Sequence, residues 1–103
     1  MIARTWRGIA TAAKAGEYRG HFTSTVAPRL KQIKGFHGAH LLQREENGQV
    51  DFLAITLWDS METIKKFAGA NPDAAHVEPE GQAALTSFDD FATHYEVVYS
   101  DLA

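Results

Sequence analysis

The run Val50 to Trp58 limits what this chain can fold into more than any other segment. Read as a β-strand it sends Leu53, Ile55 and Leu57 to one face and Phe52, Ala54, Thr56 and Trp58 to the other. Both faces are apolar or small, so both need a cover. The run is preceded by Glu45-Glu46-Asn47-Gly48-Gln49. Asn-Gly between two strand-like stretches is a hairpin signal, which pairs this strand with one over Phe36 to Arg44. After it, Asp59-Ser60 supplies an N-cap for a short helix lined by Met61, Ile64, Phe67 and Ala68.

The flanking sequence completes the pattern. Met1 to Ile9 alternates as a strand, and a helix is expected from about Lys14 to Ile33, with Tyr18, Phe22, Val26, Leu30 and Ile33 as its apolar stripe. Pro28 should disturb that helix near Ser24, and Gly35 should end it. Asn71-Pro72 interrupts the chain. A second helical piece is expected over Asp73 to Phe88, broken around Pro79 and Gly81, before a last strand from Phe91 to Ser100. The order is β-α-β-β-α-β, an α+β, ferredoxin-like split βαβ with an antiparallel sheet and both helices on one face. Residues 1–103 suit a single domain. The other face would be bare, and the expectation is that Trp6, Phe52, Ala54 and Trp58 lie on it. Such a patch calls for another sheet, which implies a homodimer about a two-fold axis.

Several functions are disfavoured. Ten Lys+Arg stand against 13 Asp+Glu, a formal charge of -3, without the basic excess a nucleic-acid binder uses. No apolar run suits a membrane span, the N-terminus is too polar for a signal peptide, and Cys is absent, all of which fits a cytoplasmic protein. His37 and His40 would point to opposite faces of a strand, so they cannot chelate one metal, and no metal site is expected. There is no G-x-G-x-x-G, P-loop or G-x-S-x-G to support a nucleotide or hydrolase role.

The polar candidates are few. His76, in Ala74-Ala75-His76-Val77, has the side chain for acid–base work or iron ligation; its plain alternative is an exposed helix histidine. Arg4 and Trp6 share a strand face, as do His94 and Glu96. Arg4 suits either a cross-strand ion pair with Glu96 or the orientation of an anionic or phenolate substrate. Trp58 ends its strand where a pocket opens, His40 is a further pocket candidate, and Phe52 and Phe67 would form apolar walls. Tyr95, with Phe91 and Val97, is expected to pack under the helices.

Gly35-Phe36-x-Gly38-Ala39, Thr56-Leu57-Trp58-Asp59-Ser60 and His94-Tyr95-Glu96-Val97-Val98 together resemble the antibiotic biosynthesis monooxygenase (ABM) family of dimeric α/β barrels. The resemblance spans essentially the whole chain. It implies a homodimer and a small hydrophobic, aromatic substrate oxidised without flavin or metal. Joined to the residue readings above, the expectation is that Arg4, Trp58 and His76 are catalytic and that Trp6, His40, Phe52, Phe67 and His94 surround the substrate. The family's heme-degrading branch implies a second activity, with His76 on the iron; here Phe67 stands for that branch's tryptophan, and the first strand offers Arg4 or Trp6 but no asparagine. The cofactor-independent branch matches at Trp58, while Ala54 and Ile64 replace its asparagine and tyrosine. A third possibility is a non-enzymatic dimeric binding or stress-response module.

Overall fold

The computed structural model describes residues 1–102. Strands β1 (Ile2–Thr11), β2 (Phe36–Glu46), β3 (Gln49–Trp58), β4 (Ser87–Phe88) and β5 (Thr93–Glu96) form one antiparallel sheet. The order is β2-β3-β1, with β4 and β5 both on the outer side of β1. This is the expected ferredoxin-like arrangement.

Local chemistry sets the turns. Asn47 and Gly48 both take positive φ, 54° and 76°, so Glu46 and Gln49 close a two-residue turn of the type that matches strand twist. Between β1 and β2 a continuous helical rod comprises α1 (Ala15–His21), a wide π turn (Phe22–Val26) and α2 (Ala27–Leu30). Pro28 has no N–H and its ring crowds the carbonyl four residues back; the ladder widens just before it, with the Ala27 N–H bonded to Phe22 five residues back. Gly35, at φ 97°, has no room for a Cβ because Thr63 lies within 3 Å of where one would stand. On the far side of β3, the Ser60 Oγ caps α3 (Met61–Ala68) by accepting from the Thr63 N–H.

The helices cover the opposite sheet face from the one expected. Phe52 and Trp58 are fully buried, and Ala54 and Thr56 nearly so, beneath Tyr18, Phe22, Leu30 and Ile64. The register places Arg4 beside Thr56, Trp6 beside Ala54 and Gly8 beside Phe52 on that same covered face. Alternation separates two faces, but it cannot say which meets the helices when both are apolar. The bare face instead carries Ala3, Thr5, Leu53, Ile55 and Leu57, with Leu42 and Tyr95 exposed at its two sides. Tyr95 and Phe91 are thus solvent-facing rather than packed under the helices.

The second crossover is also less helical than expected. Residues 69–78 form an irregular strap, with a turn at Pro72-Asp73 and a bridge from Ala74 to Phe91, and only α4 (Pro79–Ala84) is helical. Pro72 and Pro79 account for this: each disfavours helix in the residue before it, and Glu78 is extended with Pro79 opening α4. Ser87 and Phe88, expected at a helix end, pair with Ile9 and Gly8. The last strand is therefore two short pieces separated by residues 89–92, rather than one from Phe91 to Ser100.

Candidate functional site

A cavity of about 90 Å³ opens between the covered sheet face, the helical rod and the strap. Its floor is the β1–β3 ladder at Arg4, Trp6, Ala54 and Thr56, two cross-strand pairs in sequence. Tyr18, Phe22 and Val26 wall it from the rod, Phe67 from the end of α3, and the strap brings His76 to the mouth. The small residues matter: Ala54 and Thr56 leave the floor low where Phe52 and Trp58 on either side fill the core.

Arg4 is the organising side chain. It is 6% exposed, and its Nη1 donates to the Pro72 carbonyl and to His94 Nε2 (2.9 Å), its Nη2 to the Ala74 carbonyl (3.1 Å). The guanidinium carbon lies 5.7 Å from the centre of the Phe67 ring, a cation–π distance. Burial lowers the Arg4 pKa from its ordinary value, against the opposing pull of Asp73. His94 Nδ1 lies 3.3 Å from Asp73. Because Arg4 donates to Nε2, the proton of a neutral His94 belongs on Nδ1, facing the carboxylate. Burial first, then the Arg4 charge, lowers the His94 pKa, so this imidazole resists a second proton. The chain Asp73–His94–Arg4 therefore ties the strap to β1 and β5.

His76 stands over the edge of Phe67, ring centres 5.6 Å apart, with its side chain open to solvent at the mouth. Glu78, further along the strap, pairs with Arg29 on the outside of the rod. That carboxylate is thus already matched, and Arg4 leaves the cavity interior with a cationic end.

Of the residues expected at the site, Arg4, Trp6, Phe67 and His76 line the cavity. His94 stands behind Arg4, opposite it across β1 and β5, and Glu96 is opposite Ile2, so the expected Arg4–Glu96 pair does not form. Trp58 is a wall behind the wall: fully buried, stacked on Phe67 at 5.8 Å, its indole N–H donated to Thr56 Oγ1. A ligand in this cavity does not touch it. Phe52 supports Tyr18 from beneath (5.0 Å) without reaching the cavity. His40 lies on the bare face with Gly38 and Leu42, because the irregular register between Phe36 and Gly38 turns Phe36 alone to the covered side. His37 pairs with Asp59, and among the described residues no three His, Asp or Glu side chains gather as a metal site.

Tyr18, His21 and Phe22 were not foreseen as site residues, since helical periodicity reads Tyr18 and Phe22 as core and His21 as flanking. The available signal was a hydroxyl within an otherwise apolar stripe, with an imidazole three residues on.

No family model matches the chain, and no curated protein matches it in sequence. Solved structures do match its fold. The heme-degrader MhuD from Mycobacterium tuberculosis, solved with two hemes in its active site, aligns over 98% of this chain and 99% of its own, with a TM-score of 0.65 and 24% identity. A monooxygenase from the ActVA-Orf6 gene of Streptomyces coelicolor, in complex with nanaomycin D, gives a TM-score of 0.66 at 14% identity, over 99% and 90% of the two chains. SnoaB, a cofactor-independent oxygenase from Streptomyces nogalater, gives 0.59 at 14% identity, over 96% and 93%. The chain has the ferredoxin-like fold of the ABM-like proteins. These neighbours include both heme-binding and cofactor-independent members. No helix is long and apolar enough to cross a membrane.

Proposed function

We propose that this chain is a cofactor-independent monooxygenase for a small phenol, acting in the cavity between the sheet and the helical rod. The observation that carries the reading is a buried, organised cation, Arg4, in an aromatic-walled cavity that has an uncommitted histidine, His76, at its mouth. Those are the parts needed to make and hold a phenolate. The imidazole accepts the phenol's proton, the guanidinium stabilises the anion in a desolvated setting, and Trp6, Phe22 and Phe67 orient the ring. An electron-rich phenolate reduces dioxygen directly. One oxygen atom enters the ring and the other leaves as water, so a naphthol and one dioxygen give a naphthoquinone and one water. The fold shared with SnoaB and the ActVA-Orf6 protein supports this class.

The cavity's size favours a small ligand. About 90 Å³ is the share of roughly three waters, room for about one small arene ring, with any further ring reaching out through the mouth. Drug-sized sites start near ~300 Å³. A porphyrin is far larger than the enclosed volume, so we prefer the small phenol to the heme alternative, even though His76 offers a ligand nitrogen. We also read the chain as a homodimer, because Leu53, Ile55, Leu57 and Ala3 form an apolar face that no element among the described residues covers.

Oxygen-electrode measurements with 1-naphthol test the reading. Uptake above the protein-free rate, lost in His76→Ala and matched by naphthoquinone formation, is the expected result. Equal uptake with and without protein overturns it.

A further inference from the structure

Tyr18 is a buried titratable group that the phenolate chemistry above does not use. It is 5% exposed, seated on Phe52 and flanked by Trp6 at 6.2 Å, and it lines the cavity. The indole beside it is committed: the Trp6 N–H donates to the Asp89 carbonyl (2.8 Å). Among the described residues the Tyr18 hydroxyl has no hydrogen-bond partner, and it is not a sealed, unsatisfied atom either. The hydroxyl is therefore not sealed off, and on a residue only 5% exposed that lines the cavity we take its open side to be the cavity's, so whatever fills the cavity supplies its partner. Burial pushes the Tyr18 pKa up to about 12, which keeps the hydroxyl protonated and therefore a donor throughout the working range.

Its location along the ladder adds the second half of the reasoning. Tyr18 packs over Trp6 and Phe52, and Phe52 pairs with Gly8; Arg4, Phe67 and the strap lie at the Thr56 pair. Two to four residues of strand separate those stations, or about 7–13 Å at the usual rise. The cavity thus has a cationic end and a phenolic-donor end, with an apolar middle made by Trp6, Ala54 and Phe22.

We propose that Tyr18 donates a hydrogen bond to a second oxygen of the substrate, so that this site takes a flat arene carrying an ionisable hydroxyl at one end and an oxygen acceptor (ether, carbonyl or hydroxyl) across the ring. The inference rests on the phenol reading of the same cavity and names the substrate class within it. It makes Tyr18 a specificity-determining residue: a site built to donate to a ligand oxygen disfavours the analogue that lacks one.

Two isosteric probes isolate the effect, 4-methoxyphenol and 4-ethylphenol, which differ by an ether oxygen for a methylene. Trp6 lines the cavity, so quenching of tryptophan fluorescence reports binding. Wild-type protein should bind the methoxy compound up to ~10-fold more tightly, the worth of one neutral hydrogen bond. Tyr18→Phe, which deletes only the hydroxyl, should lose that preference while still binding 4-ethylphenol and melting within a degree or two of wild type. Equal binding of the two probes by wild type overturns the assignment of Tyr18 and leaves the phenol reading standing, as does a preference that survives Tyr18→Phe. Failure of both phenols to bind wild type overturns both.

Discussion

Replacing Arg4 with Met removes the clamp on the strap while keeping a side chain of similar length in the core. Three hydrogen bonds from one charged group are lost, two of them to the Pro72 and Ala74 carbonyls and one to His94. Hydrogen bonds from a charged donor are worth about 1.5–3 kcal/mol each, but Arg4→Met also relieves the cost of burying a guanidinium, so the terms partly cancel. A net loss of about 3 kcal/mol is the central expectation. For a domain of this size that lowers the melting temperature by about 12–24 °C. The damage should be local first. The Ala75 and Ala92 amides, which hold the strap through the Asp90 and Asp73 carbonyls, should exchange hydrogen well before the amides of the β1–β3 ladder. A melting temperature within 3 °C of wild type, with unchanged exchange in the strap, refutes the claim that Arg4 anchors it.

Trp58→Ala should cost about 3–5 kcal/mol by thermal unfolding, because the indole is fully buried between Phe36 and Phe67; His76→Ala, at the exposed mouth, should cost under about 0.5 kcal/mol while removing turnover. His94 is held neutral in the folded protein, with its pKa lowered by burial and by Arg4. Its contribution to stability is therefore complete above the unfolded value of about 6.5 and is lost as the pH falls through that value toward the lower folded one. Melting curves between about pH 7 and pH 5 should show that decline, and His94→Gln, which keeps an acceptor for Arg4 and a donor for Asp73, should reduce it. Light scattering at micromolar protein should give about twice the chain mass of 11.4 kDa, and Leu53→Asp together with Ile55→Lys on the bare face should return the monomer.

Much of this architecture is written locally in the sequence. Asn47-Gly48 demanded a two-residue turn, Ser60 capped α3, and Pro28 announced a break in the helical rod, because each is a backbone preference that tertiary context seldom reverses. Which face of the sheet meets the helices is a different kind of fact. Leu53, Ile55 and Leu57 are as apolar as Phe52, Ala54 and Trp58, and only the joint packing of Tyr18, Phe22 and Leu30 decides between them. The strap around His76 was concealed for a similar reason. Its alanines favour helix, yet carbonyls that bond to Arg4 and a bridge to Phe91 hold it irregular. At the site, the charged and imidazole candidates Arg4 and His76 stand out by residue type alone. Tyr18 does not, because an aromatic on a four-residue repeat reads as core until the packing shows that it lines the cavity with no hydrogen-bond partner for its hydroxyl among the described residues.

The central claim is that the cavity inserts one atom of dioxygen into a bound phenol. Turnover of 1-naphthol under isotopically heavy dioxygen, with the product analysed by mass spectrometry, addresses it most directly. The account predicts a naphthoquinone carrying one heavy oxygen atom, formed by wild type and absent with His76→Ala. A naphthoquinone whose new oxygen comes from unlabelled water, or one formed equally by His76→Ala, contradicts it.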